Sequence, residues 1–394
     1  MMKLSVVQLD LRGRRVFLRA DFNVSLAGDE ITDDTRIRAV IPTLEYCLQS
    51  GASVVLGSHL GRPEGRRDAR YSLKPVVFRL EELLGRPIPL APDCVGSTCE
   101  KLAAALEPGQ CLLLENLRFH PEEEANDRGF AQALARLGDC YVNEAFSVCH
   151  RAHASVSAIT RFLQPAATGL LMQRELLTLS RLMNHPKRPL VLILGGARMS
   201  DKLGLIGNLL SRVDRLLIGG AMAFTFLKAL GHETGRSLVE QDLLPTAKQI
   251  LAEAFAKNVE VLLPEDLVIA TYPQESASAK QWPAVEIPIG MTGLDLGTST
   301  LARYREVLRD AGTVIWNGPV GMFERPAFAN GTAAVAKMVA EAPGLTVAAG
   351  TDTAAAVRRA GVADRITYVS TAGAAFLEGL EGRELPGVAA LKPL

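Results

Sequence analysis

Positively charged side chains follow a series of apolar segments in the first 151 residues. With one carboxylate and one amide they form the set Asp21, Asn23, Arg36, His59, Arg62, Arg118 and Arg151. The arginine guanidinium is planar and permanently charged, and it binds phosphate or carboxylate through two parallel hydrogen bonds. The set predicts a site for a small substrate that carries several negative charges and a hydroxyl group. The alternative for each residue alone is a solvated surface charge or a turn.

Glycine, threonine and aspartate follow the apolar segments of the second half. Residues 195–202 and 350–353 each follow a predicted strand and open a predicted helix, so Lys202 is expected in the first helical turn. Glycine lets the backbone approach a phosphate, and Asp352 is a candidate ligand for Mg²⁺. Glu324 is a candidate acceptor for ribose hydroxyls. These motifs predict a nucleotide site, against the alternatives of an ordinary glycine turn or a helix N-cap.

The composition is that of a globular protein with two domains, because 394 residues are too many for one compact core. Lys+Arg and Asp+Glu are both 43, which argues against nucleic acid as the main partner. Uncharged stretches such as residues 216–227 are shorter than the roughly 20 residues of a membrane span. The start lacks a signal peptide's apolar core. Six cysteines without C-x-x-C spacing predict reduced thiols, no zinc or redox motif, and a cytoplasmic location.

Apolar strands alternate with helices along the whole chain. The predicted strands are 16–20, 53–57, 111–116, 140–144, 190–194, 215–218, 259–263, 313–316, 345–349 and 365–370. This pattern predicts an α/β fold of two doubly wound, Rossmann-like parallel-sheet domains joined by a hinge helix. We predict a first domain at 1–172, an interdomain helix and hinge at 173–189, a second domain at 190–378, and a tail at 379–394 that returns to the first domain.

The carboxyl ends of the strands are the expected ligand-binding edge of such sheets, and nearly every polar motif above falls there. We therefore expect two edges that face each other across a cleft, with hinge closure bringing two ligands together. The chain contains no G-x-x-x-x-G-K-[ST], no G-x-G and no G-x-S-x-G. Those absences exclude a P-loop kinase, the usual dinucleotide fingerprint and a serine-hydrolase elbow.

Seven segments carry a resemblance to a known family. They are 16–24, 31–38 (ITDDTRIR), 58–63 (SHLGRP), 115–123, 150–155, 316–324 (WNGPVGMFE) and 384–391. In order, and over essentially the whole chain, they closely resemble phosphoglycerate kinase. The resemblance implies the reaction ATP + 3-phosphoglycerate ⇌ ADP + 1,3-bisphosphoglycerate, catalysed with Mg²⁺ by a monomer. The nucleophile of that reaction is a carboxylate that is already ionised at neutral pH, so no general base is needed.

The resemblance also implies roles for individual residues. The acid-binding set would be Asp21, Phe22, Asn23, Arg36, His59, Leu60, Gly61, Arg62, Arg118 and Arg151. The nucleotide-binding set would be Lys202, Gly219, Gly220, Gly293, Asn317, Glu324, Gly350, Thr351, Asp352 and Thr353, with Asp352 at the metal. Arg36, Arg198 and Lys202 would act on the transferring phosphoryl group, Arg36 above all.

Departures from the family pattern lie on the nucleotide side. The family usually has lysine where this chain has Arg198, and its three-glycine runs are thinned here, for example to Gly219-Gly220-Ala221. Thr298-Ser299 stands where Pro-Lys is usual. Each added Cβ narrows the approach of backbone to a ligand, so we predict an unchanged acid substrate and a weaker or altered nucleotide site.

Three functions are compatible with these residues. The first is a working phosphoglycerate kinase, and the second is a relative that phosphorylates another phosphorylated acid. The third is a non-catalytic or weakly active protein that senses nucleotide or phosphoglycerate. The complete acid-binding set argues against the second, and the retained Lys202, Glu324 and Asp352 argue against the third.

Overall fold

The structure is a computed structural model that describes residues 3–274 and 278–393. The chain divides into two compact units, unit 1 at Met1–Ser180 with Glu384–Leu394, and unit 2 at Arg181–Arg383. The predicted α/β fold is confirmed, because a parallel sheet with interleaved helices forms in each unit. The four-segment division predicted from the sequence stays a prediction. Within the described ranges no helix is long and apolar enough to cross a membrane.

Among the described residues, unit 1 contains seven strands and seven helices, and helix α6 continues past the boundary at Ser180. Its strands are β1 (Arg15–Arg19), β2 (Ser25–Ala27), β3 (Glu30–Asp33), β4 (Ser53–Gly57), β5 (Cys111–Leu113), β6 (Cys140–Asn143) and β7 (Ala166–Thr168). Its helices are α1 (Thr35–Gln49), α2 (Lys74–Leu84), α3 (Ser97–Ala104), α4 (Pro121–Glu124), α5 (Arg128–Ala135), α6 (Leu170–Asn184) and the late α14 (Pro386–Ala389).

The main sheet of unit 1 has the order β5-β4-β1-β6-β7, and all its pairings are parallel. When the five strands of this sheet are renumbered 1 to 5 along the chain, their spatial order is 3-2-1-4-5, which is Rossmann-like. The chain first adds strands on one side of β1 and then on the other, so the order switches between β1 and β6. Helix α1 buries Ile37, Val40 and Leu44 at helical spacing against the same core as Val16 and Val54. A ligand site is therefore expected beyond the carboxyl ends of β1 and β6.

Unit 2 contains a larger parallel sheet and an antiparallel one. Its strands are β8 (Leu190–Leu194), β9 (Arg215–Ile218), β10 (Glu233–Thr234), β11 (Glu260–Leu262), β12 (Asp266–Ala270), β13 (Lys280–Pro283), β14 (Glu286–Ile287), β15 (Thr292–Leu296), β16 (Thr313–Asn317), β17 (Leu345–Ala349) and β18 (Tyr368–Val369). Its helices are α7 (Leu203–Leu209), α8 (Ala223–Ala229), α9 (Leu244–Ala256), α10 (Thr298–Leu308), α11 (Asn330–Glu341), α12 (Thr351–Arg359) and α13 (Ala374–Leu380).

The six-stranded sheet of unit 2 has the order β11-β9-β8-β16-β17-β18, which is 3-2-1-4-5-6 along the chain. Its central strands are apolar throughout, as in Leu190–Leu194, because both faces are covered. A separate antiparallel sheet, β13-β12-β15, brings Gly293 beside this core. The sequence analysis did not predict this antiparallel sheet, the β2-β3 hairpin or β7.

Several predicted bounds were too long. The predicted strand at 111–116 ends at Leu113 as β5, and residues 114–116 lead without regular structure into a 3₁₀ segment. The predicted strand at 365–370 is reduced to Tyr368–Val369 because a 3₁₀ turn occupies Ala363–Arg365. The sequence also predicts Ser72 as the cap of α2, but the N-cap is Leu73, one residue later. The Ser72 hydroxyl accepts the Lys74 N–H at 3.3 Å and donates to the Glu115 carboxylate at 2.8 Å.

A buried carboxylate anchors the start of α6. Glu144 follows β6 and is 1% exposed. It accepts hydrogen bonds from the backbone N–H of Leu171 and Met172, both at 2.9 Å, and from the Thr43 hydroxyl. Burial raises the pKa of Glu144 to about 7, and the hydrogen bonds oppose that shift only in part. The carboxyl group therefore takes up a proton on folding at mildly acidic pH.

We predict that Glu144 makes the wild-type protein lose stability as pH rises from about 4.5 to about 7. Its folded pKa lies above its ordinary value, so the stabilising proton is fully present below 4.5 and is lost as pH rises through the folded pKa. The loss should be on the order of 3 kcal/mol. Glu144→Gln lacks this contribution. The urea midpoint of wild type minus that of Glu144→Gln should therefore become smaller, or change sign, as pH rises from 5 to 8. Exposed Glu45→Gln on α1 serves as the control. Parallel pH profiles for wild type and Glu144→Gln would contradict the prediction.

Candidate active site

A continuous chain of hydrogen bonds joins five of the predicted acid-binding residues in unit 1. Arg36 donates from Nη1 to the Asp21 carboxylate, which also accepts the backbone N–H of Asn23 at 3.0 Å. The Asn23 side-chain oxygen accepts the backbone N–H of Gly61 at 2.8 Å. The Gly61 carbonyl accepts Nη1 of Arg118 at 2.9 Å. The residues predicted from separate motifs thus form one connected cluster.

The loops after three neighbouring strands supply this cluster. Asp21 and Asn23 follow β1, Gly61 follows β4, and Arg118 lies in the 3₁₀ turn Leu117–Phe119 that follows β5. A buried amide, Asn116, fixes the last two loops to each other. Its side chain donates to the Leu60 and Tyr71 carbonyls and accepts the backbone N–H of Arg118. Parallel pairing of the strands brings these loops to a common edge.

Gly61 is held in a conformation that other residues adopt at a cost. Its φ is +61°, and a Cβ built there would lie 2.4 Å from two ring carbons of Tyr71. Both its N–H and its carbonyl are used by the chain of hydrogen bonds just described. Glycine is thus required at this position by backbone angle and by space.

His59 is buried and neutral. Burial lowers the pKa of His59 well below its usual range, and the nearby cations of Arg19, Arg118 and Arg36 lower it further. Nη2 of Arg19 lies 3.3 Å from Nδ1 of His59. A guanidinium can only donate, so Nδ1 is the acceptor and the ring proton is on Nε2. His59 is therefore a fixed donor through Nε2–H.

Arg19 lies at the end of β1 and is fully buried. Its Nε donates to the Ser155 hydroxyl at 2.7 Å, and that hydroxyl donates to Oε1 of Glu123 at 2.6 Å. Nη2 of Arg19 is 3.9 Å from the same Glu123 oxygen, and Glu123 is also fully buried. The serine thus bridges a buried ion pair beneath His59. Sequence reasoning missed both charged partners.

Two predicted arginines lie outside the chain of hydrogen bonds. Arg62 is exposed in the loop after Gly61. Arg151 is also exposed, and its Nε lies 3.2 Å from Nε2 of His150. It is near enough to the others that its charge helps to lower the pKa of Arg118, for which burial is the main cause. Exposed cations of this kind are available to an anion that enters from solvent.

The predicted roles of Phe22 and Leu60 stay predictions, and the structure leaves only their main-chain atoms for such roles. Both side chains are in the core of unit 1, at 0% and 2% exposure, because they face the sheet and α1. Only their main-chain atoms are left for other partners. The Phe22 N–H already donates to the Ser58 hydroxyl at 2.8 Å, and the Leu60 carbonyl accepts from Asn116.

In unit 2 three loops approach backbone to backbone at the carboxyl ends of β8, β9 and β16. The N–H of Gly196 donates to the Pro319 carbonyl at 2.8 Å, and the N–H of Gly220 donates to the Val320 carbonyl at 2.9 Å. Gly220 has φ +66°, and a Cβ there would lie 2.6 Å from the Gly196 carbonyl oxygen. The glycines therefore allow the loops to cross. Gly219, with a Cβ position 2.7 Å from Val320, belongs to the same crossing.

Lys202 is half-buried and lies in the 3₁₀ turn Ser200–Lys202, just before α7 rather than within its first turn. Its ammonium donates to the Asn317 side-chain oxygen, and the Asn317 amide donates to the Ala349 carbonyl at 2.7 Å. Burial lowers the pKa of Lys202, and the carboxylates of Asp201 and Asp352 partly oppose the shift. Asn317 thus holds the Lys202 ammonium at the carboxyl end of β16.

Beside this cluster lies a mainly apolar cavity of about 390 Å³. Its apolar wall includes Phe224, Leu238, Leu267, Leu294, Val320 and Met322. Its polar rim includes Glu324 and Asp352, and its glycines include Gly196, Gly220 and Gly293. A flat aromatic base fits an apolar wall of this kind. The Lys202 side chain, whose Cε lies 3.6 Å from the Cβ position of Gly196, suits the phosphates.

The predicted motif 350–353 starts α12. Gly350 is the N-cap with φ +97°, Thr351 and Asp352 are exposed, and buried Thr353 accepts the Gly318 N–H at 2.8 Å. An exposed carboxylate at the cavity rim, close enough to affect the Lys202 pKa, fits the oxygen ligand that Mg²⁺ takes beside phosphates. Arg198 is exposed in the loop between β8 and Lys202. It is therefore available to an anion.

The apolar wall of the cavity escaped sequence reasoning. Phe224 and Leu238 read as ordinary core residues, since nothing in their local pattern marks one face as a ligand wall. Asp295 was missed as well: it is 2% exposed, and burial raises its pKa to about 7. Its Oδ2 accepts the Gly331 N–H at 2.7 Å. A carboxylate inside an apolar strand was the available signal.

Comparison with known proteins agrees with this arrangement. The family model described as phosphoglycerate kinase matches residues 6–383. The chain belongs to the phosphoglycerate kinase family. A phosphoglycerate kinase of Moorella thermoacetica is 51% identical over 391 residues, with 99% of each chain covered. A cytosolic phosphoglycerate kinase of Triticum aestivum is 51% identical, with 98% of this chain and 96% of the relative covered. The solved phosphoglycerate kinase of Coxiella burnetii is similar with a TM-score of 0.91 and 39% identity, covering 98% of both chains.

Membership of the phosphoglycerate kinase family makes the chain a kinase of glycolysis. The family match extends over both units, so neither the cluster around Asp21 nor the cavity beside Lys202 lies outside it. The comparisons name no residue. The roles of individual side chains therefore rest on the geometry above.

We predict that Gly61→Ala raises the KM for 3-phosphoglycerate on the order of 10- to 100-fold, because the new Cβ displaces the loop that links Asn23 to Arg118. Gly28→Ala is the matched control. Gly28 also has a positive φ, +63°, but a Cβ there meets nothing within 4 Å. Both variants carry backbone strain, so both should lose some thermal stability, while only Gly61→Ala should change KM. Equal KM changes in the two variants would show that backbone strain alone is responsible.

Proposed function

We propose that this protein transfers the γ-phosphoryl group of ATP reversibly to the carboxylate of 3-phosphoglycerate, giving ADP and 1,3-bisphosphoglycerate. The observation that carries the proposal is the chain of hydrogen bonds Arg36–Asp21–Asn23–Gly61–Arg118 in unit 1. It gathers cations and a carboxylate into one cluster, as a substrate with phosphate, carboxylate and hydroxyl groups requires. The family match supports the same reaction.

The acid binds through groups of unlike chemistry. Arg62, Arg118 and Arg151 supply guanidinium groups for its phosphate. Asp21, which already accepts from Arg36 and Ser147, is an acceptor for the substrate hydroxyl, and His59 supplies a neutral N–H donor. A neutral His59 is favourable here, because the cluster already concentrates positive charge.

The nucleotide binds in unit 2. The apolar wall with Phe224 and Leu238 takes the base, Glu324 accepts from the ribose hydroxyls, and the start of α12 takes the phosphates. Gly219, Gly220, Gly293 and Gly350 allow close approach of main chain to ligand. Asp352 would hold Mg²⁺, which when bound offsets phosphate charge and fixes the phosphate geometry.

The chemical step needs no proton transfer. A carboxylate oxygen of 3-phosphoglycerate attacks the γ-phosphorus as the bond to the bridging oxygen breaks, and ADP leaves with that electron pair. The protein positions the reactants and neutralises charge on the transferring group. We assign that charge stabilisation to Arg36 from unit 1 and to Arg198 and Lys202 from unit 2. Since the two substrates bind in different units, in-line transfer requires a closed interdomain cleft.

The proposal extends to cell location and assembly. One relative is named as cytosolic, and we propose the same compartment for this protein. We also propose that it acts as a monomer, as the resemblance to phosphoglycerate kinase implies.

We predict that Arg36→Ala lowers kcat on the order of 10³-fold or more, in line with the effect of charge-stabilising arginines in phosphoryl transfer. Arg38→Ala is the control. It lies on the same helix two residues later, its side chain is 56% exposed, and it pairs with Asp34 at 2.9 Å. That variant should keep kcat within about twofold, because surface pairs contribute little.

Steady-state kinetics with both substrates near saturation measures the effect. A kcat for Arg36→Ala close to that of Arg38→Ala would contradict the assignment of Arg36. Calorimetry on Arg36→Ala supplies the complement: it should still bind Mg-ATP as wild type does, because its changed side chain is in unit 1.

A further inference from the structure

A cluster of metal-binding side chain types lies in unit 1 apart from the chain of hydrogen bonds around Asp21. Asp93, Cys94 and His120 each offer one ligand atom, and these atoms lie within 4.8 Å of one another. Among the residues that the structure describes, no other group of three or more His, Cys, Asp or Glu side chains meets that condition. Asp93 and Cys94 precede α3, and His120 is the N-cap of α4.

The chemistry of the three ligands suits zinc. Thiolate, imidazole and carboxylate are the groups that bind Zn²⁺ in proteins, and three protein ligands with one water complete a tetrahedral site. The thiolate disfavours Mg²⁺ and Ca²⁺, which take oxygen ligands. The side chains of Asp93 and His120 are 40% and 27% exposed, whereas Cys94 is fully buried. An ion can thus enter past the carboxylate and the imidazole and reach the sulfur.

Surrounding contacts already orient the ligands. Oδ1 of Asp93 accepts the Cys94 N–H at 2.7 Å and lies 2.7 Å from Nε2 of His120. The His120 ring stacks on Phe130, with 5.2 Å between ring centroids. The Cys99 thiol donates to the Asp93 carbonyl at 3.1 Å. Contacts of this kind fix ligand orientation in known metal sites.

We propose that Asp93, Cys94 and His120 form a zinc site that is separate from the catalytic apparatus. The rearrangement required of the Asp93–His120 pair is small. With bonds of about 2.0–2.1 Å to nitrogen and oxygen, tetrahedral geometry needs the Asp93 oxygen and the His120 nitrogen about 3.3 Å apart. Their present 2.7 Å separation then opens by a fraction of an ångström. On binding, the Cys94 thiol gives up its proton to solvent and the neutral imidazole donates its lone pair.

The position of the site gives it a structural consequence. His120 follows the 3₁₀ turn that carries Arg118. The Asp93 carbonyl accepts the Glu115 N–H at 3.3 Å. Zinc would therefore join the loop before α3 to the segment that bears an acid-binding arginine. A metal ion that binds the folded state and not the unfolded state raises the free energy of unfolding.

Cobalt titration of metal-free protein tests the proposal. Co²⁺ replaces Zn²⁺ in such sites and gives thiolate-to-cobalt charge-transfer absorption, which only a cysteine ligand produces. We expect one equivalent of Co²⁺ to give this band, one equivalent of Zn²⁺ to abolish it, and the melting temperature to rise with either ion. Absence of the band in wild type would overturn the proposal and leave an ordinary Asp93–His120 hydrogen bond.

Variants identify the ligands. Cys94→Ala and His120→Asn should each lose the band or weaken metal affinity at least about tenfold. Cys111→Ala is the matched control, because Cys111 is also a buried thiol of unit 1, at 2% exposure, but lies within β5. Should Cys94→Ala fail to fold, His120→Asn decides alone, since that side chain is partly exposed. A band that survives in both Cys94→Ala and His120→Asn would assign the metal elsewhere and overturn the proposal.

Discussion

A charged side chain without solvent exposure underlies the cluster around Asp21 and His59 in unit 1. That side chain is Arg19, and the charge of its guanidinium must be balanced inside unit 1. Ser155 and Glu123 provide that balance from below, and the Ala20 carbonyl accepts a further N–H. Nη2 of Arg19 lies 3.3 Å from Nδ1 of His59, and this contact fixes the tautomer of that ring. Removing Glu123 would leave an uncompensated buried charge, which is costly. The geometry above Arg19 therefore depends on this buried pair.

The two units solve opposite electrostatic problems. In unit 1 several guanidinium groups repel one another, and separate carboxylates offset them: Asp21 pairs with Arg36, Glu124 with Arg118 at 3.3 Å, and Glu123 with Arg19. Around the cavity of unit 2 backbone proximity dominates, since glycines let three loops cross at the strand ends. Ala221 lines that cavity where the family usually has glycine, and Arg198 stands for lysine. These two differences change the space left for a ligand and the distance that the cationic side chain spans. They do not affect the sheet beneath, which is complete without them.

Sequence reasoning located strand ends best where a polar motif follows a buried strand. Asp21 and His59 were singled out because each lies just after an apolar run, and the structure has them after β1 and β4. Their roles as ligands stay predictions. Sequence reasoning failed where the tertiary fold buries a residue whose local sequence does not indicate burial. Glu123 reads as one of three glutamates on a solvated first turn, yet it is fully buried because it neutralises Arg19. Phe22 and Leu60 shared a motif with ligand residues but face the core. Cys94 and His120 are far apart in sequence, so their spacing predicted no metal site.

The fold itself was predictable in outline, since the β8 and β4 patterns are apolar throughout and interleaved with periodic helices. The antiparallel sheet β13-β12-β15 was not, because its residues are mixed in polarity and its strands are exposed in part. That sheet carries Gly293 and part of the cavity wall. The cavity of unit 2 thus depends most on the elements that were hardest to predict.

The most direct test of this account is steady-state ADP production from Mg-ATP, with and without 3-phosphoglycerate, for wild type and Arg198→Lys in parallel. The account predicts turnover that depends strongly on 3-phosphoglycerate in both proteins, because arginine retains the charge that lysine would supply. Equal, slow ADP production with and without the acid in both proteins would contradict it. Inactive wild type with active Arg198→Lys would contradict the assignment of Arg198 and indicate a ligand-binding sensor.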